Sequence, residues 1–183
     1  MLETITTNEQ GEAYTSRYAI RDYEKLYIHE TKTNEFYKLN DKQVEVELKA
    51  NQITTIKFEN EKKKGQVEVI KVDKDNNEIK IPDVTFEIYD EENNLVDTII
   101  TDQDGKAISK PLPIDQDYLV KETITGDIYV LNEEPQKVTL KENEITSITF
   151  ENEKKKGQIK VIKTDGETEV PLQDVTFIVE NSK

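Results

Sequence analysis

Apolar and polar residues alternate along most of this chain. The pattern is clearest in GQVEVIKVD (65–73), VTFEIYD (84–90), LVDTIIT (95–101), YLVKETI (118–124), YVL (129–131), KVTL (137–140) and SITFEN (147–152). Successive side chains of a strand point to opposite faces, so a period of two predicts half-buried strands. Between them stand DKDNNE (73–78), EENN (91–94) and DQDG (102–105), all rich in turn formers. Regular turn signals between short strands predict an antiparallel sandwich. Helical periodicity is absent; the one place left open to a short helix or 3₁₀ turn is KPLPIDQ (110–116).

The pattern repeats. Residues 53–73 read ITTIKFENEKKKGQVEVIKVD and residues 145–165 read ITSITFENEKKKGQIKVIKTD. Asn60 and Asn152, Lys71 and Lys163, and Glu30 and Glu122 all lie 92 residues apart. TNEQG (7–11) matches TDQDG (101–105) at an offset of 94 after a small length change. The expected organisation is therefore one complete unit, 61–152, flanked by two partial ones. Residues 1–60 match the later two-thirds of a unit and 153–183 its first third. Met1 aligns with Leu95 and Lys183 with Glu92, so the frame breaks inside the EENN turn, a loop tip where breaks are tolerated. The EKKKG junctions (61–65 and 153–157) are too short to be floppy linkers.

Three strands of the unit end an apolar face in a polar group. Val67 and Val69 share a face with Lys71, Tyr118 and Val120 with Glu122, and Ile148 and Phe150 with Asn152. The flanking pieces repeat this as Ile159, Val161, Lys163; Leu26, Ile28, Glu30; and Ile56, Phe58, Asn60. A single case reads as a snorkelling lysine, a surface glutamate or a turn asparagine. Three strands doing so twice, at a constant period, predict a buried cluster. A desolvated amine gives up its proton more readily and a desolvated carboxyl keeps its own. A free amine beside a carboxamide, with a carboxyl to bond the carbonyl and relay protons, can condense into an amide with loss of ammonia. Close positioning supplies much of the rate, since well-oriented groups reach effective molarities of ~10⁵ M or more.

VIKVD, VKET and ITFEN, in that order and at these distances, with DVTFEIYD and TDQDGK between them, resemble the collagen-adhesin B-type (CnaB-like) repeats of Gram-positive surface proteins. The resemblance covers the complete unit and both fragments. It implies an all-β fold of tandem small antiparallel sandwiches of prealbumin or Ig-like type. It also implies an isopeptide bond between Lys71 and Asn152, promoted by Glu122 as the catalytic carboxylate. In the flanking pieces Glu30 and Asn60 lack their own lysine, and Lys163 lacks its own Glu and Asn. One departure is plain: the family's proline-glycine stretch after the ET motif is replaced by ITGDIYVLNEEP and by KTNEFYKLN.

The resemblance further implies a bacterial cell-surface stalk or fibre whose units carry their termini at opposite ends. Residues 1–60 and 153–183 then cannot close on each other within one chain. They can complete each other between chains, Lys163 of one copy meeting Glu30 and Asn60 of the next in a covalent head-to-tail filament. The alternative is a window on a continuous array whose neighbours belong to the same polypeptide. A module that binds host matrix protein or glycan is the second functional reading.

Composition narrows the classes. Twenty-five Lys and Arg against 39 Asp and Glu give a net charge of −14. That sign opposes nucleic acid, whose phosphates demand cations, and polybasic membrane contact. No apolar run approaches a membrane span of ~20 residues, and Met1 opens on polar sequence, so neither membrane insertion nor a signal peptide is expected in this segment. The absence of Cys removes disulfides and thiol catalysis. Thirty-four Ile and Val against 10 Leu favour strands. Asp73, Asp75 and Asn77 alternate as in a calcium loop but lack its central Gly and distal Glu, so a polar turn is expected. His29 falls on a strand's outer face, leaving no material for a Ser–His–Asp site. No cofactor is expected, and no enzyme beyond one turnover of self-crosslinking.

Overall fold

The computed structural model describes residues 1–23 and 25–181, and no helix forms among them. The first segment carries two short strands, β1 (Leu26–Ile28) and β2 (Val44–Val46). The central unit follows with β3 (Lys64–Asp73), β4 (Thr85–Tyr89), β5 (Leu95–Ile100), β6 (Lys106–Ile108), β7 (Leu112–Pro113), β8 (Asp117–Ile124), β9 (Gln136–Thr139) and β10 (Ile145–Asn152). One sheet runs β10-β3-β6, with β7 also paired to β3; the other runs β5-β4-β8-β9. The expected all-β sandwich is therefore present.

Its core lies between the two sheets. Val67 and Val69 of β3, Phe86 and Ile88 of β4, Tyr118 and Val120 of β8, and Phe150 of β10 are all buried. The rings of Phe86 and Phe150 meet across the layers with centroids 4.9 Å apart. Each buried residue is the inward member of an alternating strand, as period-two patterning requires.

Three local expectations change. β3 and β10 pair in parallel, from Ile145↔Gln66 to Asn152↔Asp73, inside an otherwise antiparallel sandwich. Parallel neighbours need a long crossover, and here all the intervening strands supply it. KPLPIDQ is no helix; it holds β7, whose Leu112 and Pro113 pair with Gly65 and Lys64. YVL is not a strand. Tyr129 follows a turn closed by its N–H on the Gly126 carbonyl, and it makes only an isolated bridge to Lys154.

The flanking segments repeat part of the local geometry of the central one. The β1–β2 register, Leu26↔Val46 to Ile28↔Val44, recurs 92 residues later as Tyr118↔Val138 to Val120↔Gln136. The bridge Tyr37↔Lys62 recurs as Tyr129↔Lys154. Both EKKKG junctions are tied to the preceding unit by main-chain bonds. Lys38 N–H donates to the Glu61 carbonyl and Lys63 N–H to that of Phe36, each at 2.9 Å. Val130 N–H to Glu153 at 2.9 Å and Lys155 N–H to Ile128 at 2.8 Å repeat the arrangement. The difference lies in burial. Val67 and Phe86 are fully buried, whereas their counterparts Ile159 and Phe177 are 74% and 50% exposed.

Candidate functional site

The twist and pleat of both sheets bring three polar side chains to one end of the core. Lys71 extends inward from β3 and Asn152 from the last position of β10, both in the first sheet. Glu122 faces them from β8 in the second. Lys71 is 0% exposed, Asn152 1% and Glu122 5%. The Lys71 ammonium nitrogen donates to Asn152 Oδ1 in a very short contact. It also lies 2.9 Å from Glu122 Oε2, near enough for an ion pair but poorly aligned for a hydrogen bond. Asn152 Nδ2 donates to Glu122 Oε1 at 2.5 Å. Lys71, Asn152 and Glu122, placed together by the sequence pattern, thus form one buried cluster. One detail differs from expectation: Glu122 holds the amide nitrogen, and Lys71 itself holds the carbonyl oxygen.

Burial sets the electrostatics. Desolvation pushes the Lys71 amine below its ordinary pKa, opposed by the adjacent Glu122 carboxylate and by the charge of Glu151. The Phe150 ring, with its centroid 6.0 Å from Lys71 Nζ, walls off one side. Gly105 lets the β5–β6 turn press on the lysine's own backbone. The Lys71 N–H donates to the Gly105 carbonyl at 2.7 Å, and a Cβ on Gly105 would come within 2.5 Å of the Lys71 carbonyl oxygen.

Thr125 is a fourth member that the strand pattern did not reveal. It follows β8, and its Oγ1 accepts the second hydrogen bond of Asn152 Nδ2, at 2.9 Å. The only signal for it was repetition, because Thr33 stands 92 residues earlier. In the first segment Asn60 Nδ2 donates to Glu30 Oε1 and Oε2, at 2.9 and 2.8 Å, and to Thr33 Oγ1 at 2.8 Å. The contacts of Asn152 with Glu122 and Thr125 are thus repeated here by half-buried residues. Lys163 does not join them. Its side chain is exposed and donates to the Thr164 carbonyl.

A second polar group is buried two residues further along β3, at the strand's last position. Asp73, 1% exposed, accepts from Lys154 Nζ at 2.7 Å, from the Tyr129 hydroxyl at 3.1 Å and from the N–H groups of Asp75 and Asn76. The Lys154 ammonium beside it holds its carboxyl at about 2. These oxygens are committed to the protein's own donors, which makes the 73–78 stretch a turn rather than a cation loop.

Comparison with known proteins places this geometry. The family model of the SpaA prealbumin-like fold domain matches residues 1–62 and again 65–154. The chain belongs to that family, in keeping with the resemblance to CnaB-like repeats. No curated protein matches it in sequence. Among solved structures, the Bacillus anthracis TIE protein is similar at 30% identity and a TM-score of 0.64, over 82% of this chain and 28% of that one. The chain therefore spans under a third of that structure. The T6 backbone pilin of serotype M6 Streptococcus pyogenes is 32% identical over 42% of this chain and 16% of its own, with a TM-score of 0.39. A minor pilin of Streptococcus agalactiae is 19% identical over 87% of this chain and 71% of its own, with a TM-score of 0.48.

Proposed function

We propose that the chain is a structural segment of a Gram-positive surface stalk or fibre, and that its central unit closes itself with a Lys71–Asn152 isopeptide bond. The observation behind this is the dry cluster of Lys71, Glu122 and Asn152. A buried ion pair is poor evidence of stabilisation by itself, because desolvation cancels much of the attraction. A cluster placed for chemistry accounts for it better. The Lys71 amine attacks Asn152 Cγ. Glu122 Oε2 takes the proton released from Nζ, and Oε1, already on Nδ2, returns one to the departing nitrogen. The C–Nδ2 bond breaks, ammonia leaves, and the Nζ–Cγ amide remains. The reaction runs once per molecule.

The flanking pieces extend the proposal. Lys163 of one copy enters the half-site of Glu30, Asn60 and Thr33 in another, and repeated addition gives a covalent head-to-tail filament. A heterologous contact that does not close grows in this way. Intact mass under denaturing conditions tests the internal bond: each bond lowers the mass by one ammonia, and a mass equal to that of the sequence refutes it. Denaturing electrophoresis tests the filament. A heat-resistant ladder is expected, and a lone monomer band refutes linkage between separate chains in favour of neighbours within one longer polypeptide.

A further inference from the structure

We infer that a second, non-covalent contact fixes the register of chain-to-chain completion: Asp165 of one copy docks on Lys62 and Tyr37 of another. This rests on the reading that the end segments complete each other, and it names a contact made by other side chains than the reacting ones, Asp165 standing two residues beyond Lys163.

The template is the Asp73 cluster of the complete unit. There a buried carboxylate at the end of β3 meets an ammonium from the chain just past β10, Lys154, and a phenol from the β8–β9 connection, Tyr129. Asp165 is the counterpart of Asp73, and its local geometry is already that of the finished cluster. Its Oδ1 accepts from the N–H groups of Glu167 and Thr168 at 2.9 and 2.8 Å. The matching bonds from Asp75 and Asn76 to Asp73 are 2.9 and 3.1 Å. The bridge Thr164↔Pro171 likewise stands where Val72↔Lys80 does.

The receiving side is also in place. Tyr37 and Lys62 are counterparts of Tyr129 and Lys154, and they already form the same antiparallel bridge. Lys62 rests meanwhile on Asp115 Oδ2, at 2.6 Å. Each segment thus holds one half of a cluster that is finished in the central unit, and the missing half stands on the other segment. The signs agree: a carboxylate on the donor strand, an ammonium and a phenol on the acceptor. The apolar residues that would accompany Asp165 into the interface, Ile159, Val161, Val175 and Phe177, are exposed, while their counterparts Val67, Val69, Val84 and Phe86 are fully buried. The occupant that fits this surface is a second copy of this chain.

The test uses the full chain with Lys163→Arg, which keeps the charge but blocks the amide, so that reversible association is read by sedimentation velocity. Asp165→Asn and Lys62→Met are added singly and together. Each single change is expected to weaken association about tenfold, as for loss of a hydrogen bond to a charged group. The double variant should be little worse than either single one, because both remove one contact. Any contribution of Lys62 through Asp115 adds independently and so drops out of that coupling. Association that ignores Asp165→Asn, or effects that simply add, overturns the docking contact and leaves completion standing. A Lys163→Arg chain that stays monomeric at every concentration overturns both.

Discussion

Replacing Glu122 by Gln tests the crosslink with little change in shape. The carboxamide keeps the volume of the side chain but cannot take a proton from Lys71 Nζ, so the amide does not form. Lys71 and Asn152 are 81 residues apart in sequence. Treating the bond like a disulfide that closes a loop of this length, its removal frees denatured-chain entropy of ~4.5 kcal/mol at 25 °C. For a domain of this size ~1 kcal/mol moves the melting temperature by roughly 4–8 °C, so a fall of roughly 18–36 °C is expected. Two measurements on one preparation decide the matter. Denaturing intact mass should rise by one ammonia, with the one-dalton smaller Gln residue allowed for in the ~1 Da resolution required. Calorimetry should show the lower transition. If the variant still lacks the ammonia, Glu122 is not the proton carrier. If the ammonia returns while the melting temperature holds, the crosslink does not stabilise the unit.

Thr125→Val removes the second acceptor of Asn152 Nδ2 while keeping the shape, and should slow crosslinking after cell-free synthesis, followed as the fraction of molecules lacking ammonia; Thr125→Ser should restore the rate. Gly105→Ala sets a Cβ against the Lys71 carbonyl at a φ of +67° and should cost at least ~1 kcal/mol in urea denaturation. The Asp73 carboxyl is held at about 2 against an ordinary 3.8. A lowered folded pKa gives stability that is present above the unfolded value and lost as pH falls through the folded one. Acid unfolding should therefore weaken the unit between about pH 4 and 2, and Asp73→Asn should flatten the dependence in that window.

Much of this was legible from alternation. The inward faces of β3, β8 and β10 were set by period two, and the same period placed Lys71, Glu122 and Asn152 inward among apolar neighbours. Their convergence on one spot depended on pairing, which alternation leaves open. The parallel register of β3 and β10, with Phe150 opposite Lys71, brings Asn152 within reach of the lysine. Thr125 was missed because it lies past the end of β8, where the backbone no longer alternates. The Asp73 cluster was missed for a related reason: its partners Tyr129 and Lys154 meet through an isolated bridge, and a lone bridge leaves no periodic trace.

The two EKKKG junctions are clasped by the same pair of main-chain hydrogen bonds, 92 residues apart and equal in length to within 0.1 Å. In both cases the bonds fasten the junction to the segment before it in the same way. A segment held by strand-like hydrogen bonds resists bending at that point by bond geometry instead of by the entropy of a coil. Inserting a single glycine into EKKKG would shift those donors and acceptors out of register and let the junction swivel.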